Sequence, residues 1–141
     1  MNDSQKLLKE ISRATQMSLG ALDALIPEVK NSPIKETLKS QRQTYASYNH
    51  RVNDAMKIAG IRPDPTGIGQ RLNQMNVKMQ TKMNSSSERI ASMMIQGSDM
   101  GIIALQRARN HTPTAHRSVK YLADEIIRFE QNTIDAYKPY L

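Results

Sequence analysis

The stretch EIIRFEQNTIDAYKPYL, residues 125–141, places Ile126, Glu130, Thr133 and Tyr137 on one side of a helix. Steps of four, three and four residues keep side chains on one face at about 3.6 residues per turn. Upstream, Val119 and Leu122 continue the same stripe. One member is a carboxylate. Burying an unpaired carboxylate is expensive, so Glu130 needs a metal, a catalytic task or a hydrogen-bond donor. The rest of the chain decides among these.

The same helical period runs through the whole sequence, and no alternating strand pattern interrupts it. Breakers are few: NSPIKE (31–36), AGIRPDPTG (59–67), NSSSE (84–88) and NHTPT (110–114). Ser32 with Pro33, Ser85 with Glu88, and Thr112 with Pro113 have the residue types that start helices. Five helical segments are predicted, at about 3–30, 33–59, 66–84, 86–110 and 113–138, with a bend at Pro27. The expected fold is all-α: one domain over 1–141, a four-helix bundle with an additional short helix in the connection between the second and third long helices. The inward stripe of the first helix reads Leu7, Ile11, Ala14, Ser18, Leu22, Leu25, and that of the second Ile34, Leu38, Tyr45, Tyr48, Val52, Ala59. The third reads Ile90, Met93, Met94, Gly97, Gly101, Ala104, Ala108.

Composition agrees. The chain has 141 residues, enough for one core, with nine Met, one Phe, no Trp and no Cys. Absence of Cys excludes disulfides, thiolate metal sites and Cys nucleophiles, and fits a cytoplasmic address. The polar start MNDSQKLLKE carries no secretory h-region, and no apolar run reaches the roughly 20 residues of a membrane span. The protein is basic, at net +7, and residues 30–89 hold eleven Lys/Arg against four Asp/Glu. A basic middle suits nucleic acid or another anionic partner, although solvated helix faces are also rich in Lys and Arg.

Sliding the second helix onto the fourth by 85 residues aligns their stripes: Ile34 meets Val119, Tyr45 meets Glu130 and Tyr48 meets Thr133. Two helical hairpins joined by a long connection look like the ferritin-like fold. SERIASMMIQGSDMGIIAL (87–105) and EIIRFEQNTIDAYKPYL (125–141) resemble an uncharacterised ferritin-like family of low-GC Gram-positive bacteria. The resemblance implies a bacterial ferritin-like bundle, and the di-metal ligands of such bundles are lost here. A di-metal site takes one Glu from each of two helices and Glu-x-x-His from each of the other two. The Glu-x-x-His positions read Tyr45-x-x-Tyr48 and Glu130-x-x-Thr133, and the lone Glu positions fall near Ser18 and Gly101, or Ala14 and Gly97. His50 lies about 170° from the centre of its helix's apolar stripe, at ~100° per residue. His111 and His116 fall at the bundle's end.

No metal, cofactor or catalytic residue is therefore expected. The answer proposed for Glu130 is a buried polar cluster of Glu130, Tyr45, Tyr48, Thr133 and Ser18, with Gly97 and Gly101 leaving room for two Tyr rings. No phosphate loop, dinucleotide fingerprint, His-Glu-x-x-His or nucleophile elbow is present. The segment 66–84 carries the most function-like pattern: Met75, Met79 and Met83 on one stripe flanked by Arg71, Lys78 and Lys82, a possible interaction surface. The expected function is a non-catalytic interaction or structural protein, with an unknown protein partner or self-association. A basic nucleic-acid-associated protein and a metal-binding bundle with a non-standard site are the alternatives.

Overall fold

The computed structural model describes residues 1–64 and 86–141. They form four long helices and no strand among the described residues: α1 (Asp3–Leu25), α2 (Ser32–Ile58), α3 (Ser87–Asn110) and α4 (Arg117–Tyr137). The expected short helix at 66–84, and with it Arg71, Met75, Lys78, Met79, Lys82 and Met83, lies outside the described residues.

The helix ends correct several sequence expectations. α1 stops at Leu25, five residues short, and a 3₁₀ turn (Ile26–Glu28) follows. Pro27 has no N–H to extend the ladder, although Ile26 before it still has helical backbone angles. At the start of α1, Asn2 and Gln5 cap each other reciprocally. Asn31, not Ser32, caps α2 by accepting from the Ile34 amide, and Ser86, not Ser85, caps α3 from the Arg89 amide. α4 begins four residues later than expected because Thr112 serves the preceding helix. Its hydroxyl donates to the Ala108 carbonyl at 2.8 Å, closing the end of α3. His116 then caps α4, accepting from the Ser118 amide.

The α3–α4 turn is tied to the start of α1. Asp3 accepts from the Thr114 amide and hydroxyl at 3.0 and 2.6 Å, and the Ser4 hydroxyl accepts from the His116 amide at 2.7 Å. Gln5 donates to the Ala59 carbonyl at 2.9 Å, so the end of α2 is at this end too. At the opposite end Thr37 and Tyr140 meet through their hydroxyls at 3.4 Å. α1 and α4 therefore run one way and α2 and α3 the other, and Ala59 and Ser86 stand at opposite ends of the bundle. A single crossover connection separates two antiparallel hairpins.

The core has two apolar halves. Leu7, Ile11, Val52, Met56, Leu105 and Leu122 fill the end near the α3–α4 turn. Leu22, Leu25, Ile34, Leu38, Ile90 and Tyr137 fill the other. Between them, α1 buries Ser12, Thr15 and Gln16, α3 buries Ser98, and α4 buries Glu130 and Thr133. Asn49 of α2 joins this layer, accepting from the Thr15 hydroxyl at 2.9 Å. Each helix thus changes from apolar to polar near its middle. The inward face of α3 is Ile90, Ala91, Ser98 and Leu105, while Gly97 and Ala104 face outward. The expected α3 stripe was rotated by about one residue. Gly, Ala and Ser carry little burial signal, so the phase of such a stripe is weakly marked.

Candidate functional site: a buried carboxyl at the bundle midpoint

α4 brings Glu130 into the polar layer through the same stripe that buries Ile126 and Tyr137, and only 4% of the residue is exposed. From α2, the Tyr45 hydroxyl donates to Glu130 Oε1 at 2.7 Å. The ring of Phe129 stands edge-on to Tyr45, with centroids 5.0 Å apart, and walls the pair on one side. From α3, Gly101 lies under the carboxyl. A β-carbon there would sit 3.6 Å from the Glu130 carboxyl carbon, an ordinary contact distance. Glu130 Oε2 is buried and has no hydrogen-bond partner among the described residues.

The electrostatics follow from burial. Loss of water pushes the Glu130 carboxyl above its ordinary 4.5, and the Tyr45 hydroxyl and nearby Ser98 pull in the other direction. Burial first, and the Glu130 charge second, push the Tyr45 phenol well above 10.0. Tyr137, higher on α4, donates to Gln41 at 2.6 Å, and burial also raises its phenol. Pairs from α2 and α4 thus recur along one seam, through long side chains and without the close backbone approach that α1 makes with α2.

Two members of the expected cluster are elsewhere. Tyr48 is half-buried beside Glu125 and Arg51, not Glu130, and its ring tilts against Phe129 at 5.7 Å. Three residues advance a helix by about 300°, enough to carry Tyr48 to the flank of the Tyr45 face. Ser18 donates to the Ala14 carbonyl of its own helix at 3.0 Å. Thr133 is fully within the layer, beside Tyr45, and donates to the Phe129 carbonyl at 2.9 Å. Gly97 faces open space and makes no room for a ring. Sequence reading missed Ser98 and Gln41, polar residues at core positions that stand out only once the helix phase is known, and so missed the bond from Gln41 to Tyr137 of the expected α4 stripe.

The donor set is narrow. Among the described residues, no three His, Cys, Asp or Glu side chains come together in a way that could hold a metal ion. His50 is exposed and 3.6 Å from Asp54, and His111 is exposed at the end of α3. The Tyr45 phenol holds its proton and donates it to the carboxyl in a hydrogen bond, and a cavity of about 590 Å³ is elsewhere. It opens between α1 and α3 and is lined by Lys6, Lys9, Arg13, Arg107 and Ala108 among others. No described helix is long and apolar enough to cross a membrane. Comparisons with protein-family models, with curated proteins and with solved structures found no match.

Proposed function

We propose that the protein is a non-catalytic, ferritin-like helical bundle that acts through its surface, as an interaction or structural protein. The observation that carries this reading is the content of the middle layer. Ferritin-like bundles place metal ligands at facing positions of the four helices. Here the corresponding positions hold a Tyr45–Glu130 hydrogen bond, walled by Phe129 and floored by Gly101. The single crossover between two antiparallel hairpins supports the same kinship. With one carboxyl at this level, the layer sets helix register instead of coordinating an ion.

Metal analysis of protein purified without added metal tests the reading. The expected result is no stoichiometric iron, manganese or zinc, and no rise in melting temperature when any of these is added. Stoichiometric metal in the wild type that is lost in Glu130→Gln would instead make Glu130 a ligand and overturn it.

A further inference from the structure

Glu130 is buried, and among the described residues none of the side chains packed around it offers a positive charge. On α1 the layer presents Ser12, Thr15 and Gln16. On α2 it presents Tyr45, while Arg42 is paired with Asp23 and Arg51 with Glu125. On α3 it presents Ser98 and Gly101, while Arg109 is paired with Asp124. On α4 itself, Arg128 is exposed and acts on Glu125 and Tyr48. A carboxylate in this position would hold a full charge out of water with one oxygen lacking a donor.

We propose that Glu130 keeps a proton on Oε2 in the folded protein at pH values where the other glutamates have ionised, and that losing this proton loosens the seam between α2 and α4. The proton turns the orphaned acceptor into a donor, and the hydroxyl of Ser98, which stands beside the carboxyl, can accept from it. Tyr45 goes on donating to Oε1. On ionisation the proton leaves to solvent, and the carboxylate left behind holds a full charge out of water with only the neutral hydroxyls of Tyr45 and Ser98 to donate to it among the described residues. The seam is where the bundle can yield, because α2 and α4 are held there by side-chain pairs such as Gln41–Tyr137 and Tyr45–Phe129. The upward displacement of the Glu130 titration by burial agrees with this geometry. Tyr45 and Tyr137 are displaced upward as well and stay neutral throughout. A group whose folded-state value is raised binds its proton more tightly when folded. The contribution of this group to stability is thus greatest below the ordinary 4.5, falls as pH rises from there through the folded value, and is level above it.

Carboxyl-carbon nuclear magnetic resonance of protein labelled at glutamate tests the proposal on the metal-free wild type. One glutamate, assigned through its bonds to Glu130, should titrate later than all the others. Tyr45→Phe should move that titration later still, since it removes a donor to the ionised form. Hydrogen exchange of the amides over 126–133 should quicken beyond the intrinsic rate as this group ionises, and should not do so in Glu130→Gln. Titration of Glu130 together with the other glutamates would overturn the assignment of the proton. Seam exchange with the same pH course in wild type and Glu130→Gln would overturn the coupling. Because the titration is read on wild type, it holds even if a variant folds poorly.

Discussion

Two tyrosines one turn apart on α2 differ in what they hold. Tyr45 is buried and donates to Glu130, whereas Tyr48 is half-buried at the rim beside Arg51 and Glu125. Tyr45→Phe removes the hydrogen bond that Glu130 Oε1 accepts from the Tyr45 hydroxyl and leaves that buried oxygen short of a donor. The expected loss is about 1–3 kcal/mol, the range for a buried acceptor stripped of its donor. Tyr48→Phe keeps the ring against Phe129 and loses only the contact of a half-buried hydroxyl with Glu125, which Arg51 still holds, so a change within about 0.5 kcal/mol is expected. Urea denaturation of the two variants at one pH checks the difference. Equal losses would mean that the two hydroxyls carry the same load. The register that separates them was partly legible: an offset of 85 residues places Tyr45 opposite Glu130, and these two do hydrogen-bond. The same offset could not say which of two tyrosines three residues apart faces inward, because both lie within one wide helical stripe.

At the scale of the element, legibility followed side-chain size. The α4 stripe of Val119, Leu122, Ile126, Glu130, Thr133 and Tyr137 is buried along its whole length, since large apolar groups fix the phase. The α3 stripe slipped, because Gly97 and Gly101 suggested an inner face and only Gly101 lies on it. Helix ends were harder to place than helix bodies. Asn31 and Ser32, or Thr112 and His116, are all competent caps, and tertiary ties such as Asp3 to Thr114 select among them. The glycines give a direct comparison. Gly60 ends α2 with φ +74°, a left-handed conformation, whereas Gly97 is mid-helix on an exposed face with nothing within 4 Å of a β-carbon. Gly97→Ala should stabilise by roughly 0.5–1 kcal/mol through helix propensity. Gly60→Ala should destabilise by about 1–2 kcal/mol, the cost of placing a β-carbon in that region. Opposite shifts in melting temperature are the expected result, and shifts of the same sign would contradict the backbone assignment.

For the whole molecule, ionisation acts in two directions. Arg51 holds the Glu125 carboxyl below its ordinary range, and Arg13 does the same for Asp64. A lowered folded-state value gives stability that is present above the unfolded value and lost as pH falls through the folded one. These pairs are partly exposed and screened, so each effect is small. Glu130 has the opposite sign and loses stability as pH rises. The wild type should therefore be most stable in the mildly acid range. In Glu130→Gln the decline toward neutral pH should disappear while the acid limb remains. Melting temperature followed across pH for both proteins checks this, and a decline of equal steepness in the two would assign it to other groups.

The crossover makes the boldest geometric claim, because nothing in periodicity alone distinguishes it from a simple up-down alternation of the same four helices. In an alternating bundle, the end of α2 and the start of α3 would be neighbours, with helix axes about 8–10 Å apart. Here Gln5 reaches Ala59 at one end, the α3–α4 turn is bonded to Asp3 and Ser4 at that same end, and α3 therefore begins at the other. A helix of 24 residues rises about 36 Å at ~1.5 Å per residue. Lys57 and Glu88 are both exposed and lie near these two ends, so spin labels can be attached without disturbing the core. Pulsed electron resonance between labels at 57 and 88 should give a distance on the order of 35 Å. A second pair at the exposed positions Lys57 and Asn110, near one end, should be clearly closer. If the 57–88 distance were the shorter of the two, the hairpins would be joined by simple alternation, and the opposed placement of Ala59 and Ser86 would be wrong.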